Sequence, residues 1–550
     1  MPTLFERIAA RFAYWHASRV YARFLSTLRD VDAAQNRVLQ AVLSRMAGSD
    51  YSRRYRLESV RAPADLRHAA PLVTYEDLRP YIDRLCAGET SVLFSADERL
   101  QMFATSSGTT ARRKLIPVTT EFVRQYRRGW NTFGLKMLAD HPRAVLRAIL
   151  QSSGRYDESY TPSGVPCGAI TGLLARTQKH IVRRFYVGTP DIALIDDPHA
   201  KYYALMRFAV ARDVAFAITA NPATLIRMAQ TADKESERLL QDVHDGTVSS
   251  ELVADAALCR RLQARLKPAP DRARELARLR ATHEGLRPRD YWQLEFLACW
   301  TGGSMGHYLQ RLADWWGPVP VRDIGLLASE GRVSIPLEDG TPAGVLDAQA
   351  AFFEFIPTEQ WDSANAETLT ARELETGRDY TVVLTNSAGL VRYRLDDVVR
   401  VRGWVEQAPL LEFLHRAGRV ASIAGEKLTE NQVVEAVRTA AARLGVREFD
   451  FVVAPRWDDP PFYRLNCPLP VSAELAGAID QALGEQNEEY LSRRKSLRLG
   501  MLSVRNVGAD AIVTMDRRLA AIRGSSAEQY KRPCLLTEAS EDDRLLEIKA

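Results

Sequence analysis

An α/β fold divided into more than one domain is what this sequence predicts, and three observations carry the prediction. Strand-like apolar runs such as Leu100–Ala104 and Ala215–Thr219 alternate with helix-period segments through the first four hundred or so residues. The chain has 550 residues, several times the roughly 150 expected per domain. Its composition, 46% hydrophobic and 26% charged, is that of a globular protein with a sizeable core.

Composition also excludes several classes. Net charge is 74 − 69 = +5, with basic and acidic residues interleaved, so no nucleic-acid footprint is present. The six cysteines (Cys86, Cys167, Cys259, Cys299, Cys467, Cys534) are scattered without a Cys-x-x-Cys pair. That argues against a zinc site or disulfide scaffold and fits a reducing cytoplasm, the expected location. The nine histidines are dispersed, without His-Glu-x-x-His. No run reaches the ~18 apolar residues of a membrane span. Met1–Leu28 lacks the apolar centre of a signal peptide and reads as a docked amphipathic helix.

In chain order, residues 1–47 read as helices and Asp50–Arg61 breaks the pattern. Thr74 followed by Glu76 and Asp77 reads as an acidic helix start. A strand at Leu100–Ala104 leads into a hydroxyl-rich stretch, and Thr120–Asp140 reads as a helix bearing Arg127, Arg128 and Trp130. Gln151–Gly168, rich in Ser, Gly and Pro, reads as a loop or hairpin, and Asn221-Pro222 opens a helix. Residues 225–290 are helical, charged and without evident chemistry. Two β-branched runs flank Ser387-Ala-Gly389, which predicts a β-hairpin. There is no internal repeat and no low-complexity tract.

The hydroxyl-rich stretch carries the most chemistry. Thr105, Ser106, Ser107, Thr109 and Thr110 surround Gly108, and Lys114 follows. A backbone bent at a glycine can aim several N–H groups into an anion-sized hollow, hydroxyls add donors, and a lysine supplies a point charge for phosphate. The Walker A pattern is absent, and composition alone equally allows a Ser/Thr-rich surface turn. Further along, Glu330 could hold Mg²⁺ through one carboxylate, although Ala-Ser-Glu-Gly alone favours a plain turn. Asp397 at a strand end could accept both hydroxyls of a ribose. The alternative is that Asp396 and Asp397 solvate the strand end or pair with Arg392 and Arg394.

Read together, these stretches resemble a known family. Thr-Ser-Ser-Gly-Thr-Thr at 105–110 followed by Lys-Leu-Ile-Pro at 114–117 is similar to the phosphate loop of the Gretchen Hagen acyl acid amido synthetases. These form the auxin-responsive branch of the firefly luciferase-like, acyl-adenylate-forming superfamily. Leu-Leu-Ala-Ser-Glu-Gly at 326–331 resembles the second nucleotide motif, with Leu326 where the family has a tyrosine. Tyr-Arg-Leu-Asp-Asp at 393–397 resembles the third, with Asp396 in place of a glycine. Ala111 stands where bacterial-type loops carry glycine. The 415–435 segment resembles the family hinge, and Gln-Tyr-Lys-Arg-Pro at 529–533 continues the likeness to the tail.

The resemblance implies a large N-terminal domain, residues 1–417, with β-sheets flanked by helices. A small mobile α/β domain, 418–550, would follow a hinge at about 416–424. It implies a ligase that uses ATP and Mg²⁺ to adenylate a small carboxylic acid and passes the acyl group to an amine or amino acid, with no obligate protein partner. Ser106, Ser107, Gly108, Thr109, Thr110 and Lys114 would hold phosphates. Leu326, Ala328, Ser329 and Arg419 would line the nucleotide, Asp397 would clamp ribose, and Glu330 would hold the metal. Lys531 or Lys427 would stabilise developing charge, and Arg127, Arg128 and Trp130 would line the acid pocket. Two other readings share these motifs. One is transfer to coenzyme A or a carrier thiol; the other is a non-catalytic binding protein, motivated by Ala111, Leu326 and Asp396.

Overall fold

A computed structural model describes residues 15, 18–106, 114–178, 180–361, 363, 366–418, 420–424, 426–495, 497–522 and 532–546. The largest sheet is six-stranded, in the order Ser334–Ile335, Ala343–Leu346, Ala408–Arg416, Tyr393–Val405, Asp379–Thr385, Phe352–Pro357, with every neighbour antiparallel. The hairpin expected around Ser387–Gly389 supplies its fourth and fifth strands, both interior to the sheet. A second sheet is parallel, in the order Ala148–Gln151, Val214–Ile218, Phe296–Ala298, Val321–Arg322. All five residues of Val214–Ile218 are buried, as befits a strand covered on both faces. A third sheet carries the antiparallel pair Leu100–Ser106 and Lys114–Thr119, extended by the short strands Pro166–Gly168 and Ser159–Tyr160.

Helix starts follow local chemistry. Thr74 and Asp77 form the box that begins Tyr75–Cys86, in which the Asp77 carboxylate accepts from Thr74 N at 2.8 Å and satisfies a donor at the helix start. Thr119 Oγ1 accepts from Phe122 N at 3.1 Å and opens Thr120–Asp140, the predicted span. Asn221 caps Pro222–Lys234, with the proline at a position whose missing N–H costs nothing. Residues 18–28 are helical; the remainder of the helix expected at Met1–Leu28 lies largely outside the described residues. Among the described residues no helix is long and apolar enough to cross a membrane.

Apolar faces meet in separate clusters. The largest joins the helices before residue 90, the 100–119 hairpin, the Thr120–Asp140 helix and the six-stranded sheet. A second surrounds the parallel sheet and the helices of 198–316. Past residue 420, the strands Val452–Arg456, Phe462–Cys467 and Ser503–Asn506 pack with Glu430–Arg443 and Ala473–Gln486 around clusters of their own.

Buried polar ties lock the N-terminal helices to the large sheet. Gln35 donates to the carbonyls of Ala348 and Ala351 and accepts from Phe353 N, at 2.9, 2.8 and 2.7 Å. Arg392 grips Glu354, at 3.0 Å through Nε and 3.1 Å through Nη2, and donates to Ala70 O at 2.8 Å. Glu354 is 1% exposed, so it depends on that partner. Replacing Arg392 with Met leaves a buried carboxylate with the Thr368 hydroxyl at 2.6 Å and its nearest remaining cation, Arg67, at 3.6 Å. The expected loss is about 3–5 kcal/mol of stability, read as a lower chemical-denaturation midpoint at unchanged slope.

Candidate active site

The 100–119 hairpin fixes both ends of the phosphate-loop candidate, because Ser106 pairs with Lys114 as the last rung of its ladder. Ser107, Gly108, Thr109, Thr110 and Ala111 between them lie outside the described residues. Ser329 Oγ donates to Thr105 O at 3.2 Å, which brings the second motif against the first. Leu115 N donates to the Tyr75 hydroxyl at 2.8 Å, tying the hairpin to the helix before it.

The third motif joins them through Tyr393. Lys114 Nζ donates to its hydroxyl at 3.3 Å, and that hydroxyl donates to Glu330 Oε1 at 3.4 Å. The ammonium lies 5.6 Å from the Tyr75 ring centroid and 6.0 Å from that of Tyr393, within cation–π range. Burial pulls the Lys114 pKa below the usual lysine value, with Glu330 opposing. Burial, then the Glu330 charge, pushes the Tyr393 phenol well above its usual value. Asn386 Nδ2, from the turn of the Ser387–Gly389 hairpin, donates to Glu330 O at 2.5 Å. Glu330 is 2% exposed, and among the described residues the hydrogen bond to its carboxylate is made at Oε1.

Beyond Tyr393, Asp397 is buried, with Arg416 Nε 3.4 Å from Oδ1. Burial disfavours charge on Arg416, yet Asp397, Glu330, Tyr393 and Asp396 together raise its pKa above the ordinary value. Asp396 stands at φ 60°, in the left-handed region that favours glycine, which explains the glycine of the resembling motif. Its carboxylate accepts from Trp361 Nε1 at 3.1 Å, and its carbonyl accepts from Ala417 N at 2.6 Å. Of the arginine pairings raised from the sequence, Arg394 does approach Asp396, at 3.7 Å. Arg392 does not: it stands at φ 47°, just ahead of the strand, and turns into the core to meet Glu354.

The segment leading to Glu330 is held group by group. Asp323 Oδ1 accepts from Gly325 N at 2.6 Å, and its other oxygen accepts from Thr301 N and Oγ1 at 2.6 and 2.8 Å. Burial pushes the Asp323 carboxyl up to about 6. Trp300 Nε1 donates to Gly325 O and Arg332 Nη1 to Ile324 O, at 3.0 and 3.1 Å. Gly325 is required here: it sits at φ 85°, and a Cβ would lie 2.3 Å from Ser334 O. Leu326, expected to lie against a base, is buried in the main core and backs the segment from inside. Ala328 pairs across the strand with Gly331.

The other sequence-derived residues are more dispersed. Arg127 donates to Thr177 O at 3.0 Å, and Arg128 donates to Gln349 O. Trp130 stacks beneath the buried guanidinium of Arg332, 4.7 Å away, with Phe133 edge-on. Lys427 is exposed, at φ 43°. Arg419 and Lys531 lie outside the described residues; Arg532, next in the chain, is bound to Asp516 and Asp450. Sequence reasoning gave no role to Tyr393, Arg416, Asn386 or Tyr75. Tyr393 stood inside a quoted motif, whereas Asn386 and Tyr75 work through contacts distant in sequence, which no local pattern marks.

This arrangement can hold an anion beside Lys114 and polar hydroxyls beside Asp397. For a metal, no group of three His, Cys, Asp or Glu occurs among the described residues. Glu330 nevertheless offers one carboxylate beside the anion site, the donor set by which Mg²⁺ is held jointly with phosphate and water.

Comparison with known proteins agrees with this layout. The GH3 family N-terminal domain matches residues 20–321, the GH3 family central domain 344–416 and the GH3 family C-terminal domain 431–540. A jasmonoyl–L-amino acid synthetase of Nicotiana attenuata is 25% identical, over 97% of this chain and 95% of its own length. An indole-3-acetic acid-amido synthetase of Arabidopsis thaliana is 26% identical, over 93% of this chain and 90% of its own. The solved structure of the GH3.15 acyl acid amido synthetase superposes with a TM-score of 0.82 at 22% identity, over 96% of this chain and 95% of that one. The fold is therefore shared from end to end, and the chain belongs to the GH3 family.

Proposed function

We propose that this protein is an ATP-dependent acyl acid amido synthetase, which adenylates a small carboxylic acid and joins the acyl group to the amine of an amino acid. The observation that carries this reading is the meeting of Lys114 and Glu330 on one buried tyrosine, with Asp397 joined to the same cluster through Arg416. The names of the relatives, which are amido synthetases acting on jasmonic or indole-3-acetic acid, point the same way.

A carboxylate is a poor acyl donor because its oxygen leaves badly. Attack of that oxygen on the α-phosphorus of ATP breaks the bond to pyrophosphate and leaves AMP as a good leaving group. An amine then attacks the acyl carbon, AMP departs, and the amine gives up its proton. The protein's contribution is positioning and charge neutralisation. Ser106 to Thr110 and Lys114 hold phosphate oxygens, Asp397 accepts the ribose hydroxyls, and Ala328 and Ser329 present backbone to the base. Arg127, Arg128 and Trp130 sit on the helix nearest the expected acid pocket. Glu330 would hold Mg²⁺, which when bound supplies further neutralisation of phosphate charge. Residues 418–550 form the smaller domain in this scheme, turning about 416–424, and bring Lys531, with Lys427 as the alternative, to the developing charge. Arg419 would lie at the hinge.

Pyrophosphate exchange into ATP, run against a panel of carboxylic acids without amine, tests the first half-reaction. Exchange with one acid is expected; none with any acid, in protein that binds ATP, rejects the assignment. Asp397→Ala should weaken ATP about 10–100-fold, the size of lost hydrogen bonds to a charged acceptor; isothermal titration reads this, and an unchanged Kd removes the ribose role. Lys531→Ala should slow exchange ~10²–10³-fold while ATP affinity changes little. An intact rate removes Lys531 from the first step.

A further inference from the structure

Lys114 and Glu330 present an unusual pairing. Both are buried or nearly so, they carry opposite charge, and each attracts the other. Yet no hydrogen bond or ion pair joins them; the Tyr393 hydroxyl stands between, 3.3 Å from one and 3.4 Å from the other. In a site shielded from water such charges ordinarily close to contact. The lysine stem is flexible enough to do so. Two features stop it. The ammonium is held between the rings of Tyr75 and Tyr393, and the donor it turns toward Glu330 is met by the Tyr393 hydroxyl. The Tyr75 hydroxyl accepts from Leu115 N, so it is committed to the backbone. Glu330 is anchored from behind by Asn386.

We infer that Tyr393 is a positioning residue whose hydroxyl acts as a neutral spacer, keeping Lys114 and Glu330 from collapsing into an ion pair. The separation leaves the lysine charge for a phosphate and the carboxylate for a cation. A direct Lys114–Glu330 pair would cancel both. This inference rests on the nucleotide-binding reading above, and it assigns the third motif a task besides holding ribose.

The sign of the effect separates this role from a structural one. Tyr393→Phe removes one oxygen, keeps the ring, and lets Lys114 reach Glu330. Thermal stability should hold or rise, because an ion pair is gained, while metal-free ATP, titrated calorimetrically in EDTA, should bind about tenfold more weakly. Adding Glu330→Gln to Tyr393→Phe frees the lysine again and should return the affinity to within about threefold of wild type. A crystal structure of Tyr393→Phe should place Lys114 Nζ in direct contact with Glu330. A fall in melting temperature together with affinity, no rescue by the second substitution, or a Lys114–Glu330 separation unchanged in the crystal would each overturn the spacer. Should wild type bind no nucleotide at all, the proposed function fails, and the crystal structure still decides the spacer by itself.

Discussion

The site rests on a hydrogen bond between main chain and side chain: the Asn386 amide donating to the main-chain oxygen of Glu330. Asn386 belongs to the turn of the interior hairpin in the large antiparallel sheet, and Glu330 to a segment that leaves the parallel sheet. Without that bond a buried carbonyl would lack a partner, at a cost of about 1–3 kcal/mol, and the longer Tyr393–Glu330 contact would be left to tie the large sheet to the Glu330 segment. Thr119 repeats the device from the other side, its hydroxyl donating to Ser387 O at 2.9 Å in the same turn. A turn of four residues thus receives the phosphate-loop hairpin, the Glu330 segment and its own sheet. That is why three stretches far apart in sequence form one cluster.

The charges of the cluster are balanced in kind as well as in place. Lys114 is drawn by Glu330 and Asp396, and Arg416 by Asp397, Glu330 and Asp396, with Asp397 only 3.4 Å from it. Burial weakens the lysine's hold on its proton and would weaken the arginine's, but the acids restore the latter. The result is a site with an anion-seeking end at Lys114 and a donor-seeking end at Asp397. A ligand with phosphates at one end and sugar hydroxyls at the other satisfies both ends.

Legibility in the sequence followed the range of the interaction responsible. The Thr120–Asp140 helix could be read because its start depends on Thr119 and its face on a three-to-four residue period. The hairpin around Ser387–Gly389 could be read because turn and strands are contiguous. The destinations of Arg127 and Arg128 could not, since their acceptors at Thr177 and Gln349 are set by tertiary packing. The packing of Leu326 could not be read either, since its place in the main core is set by the fold. Tyr393 is the sharpest case. Its motif was recognised, but the task of a hydroxyl between two opposite charges depends on distances that no spacing encodes.

Asp396 narrows what the chain can become at that point. Its left-handed backbone admits glycine readily and aspartate or asparagine tolerably, while a β-branched side chain is shut out. Glycine would satisfy the backbone but leave Trp361 without its carboxylate partner and Arg394 without its nearby acid. The mutational neighbourhood of this position is therefore nearly closed. The departure from glycine brings an indole into the anchoring of Ala417, at the last rigid residues before the chain leaves the large sheet. A strand residue with a left-handed backbone has become a bracket, and a glycine in its place would leave that exit to be braced by other means.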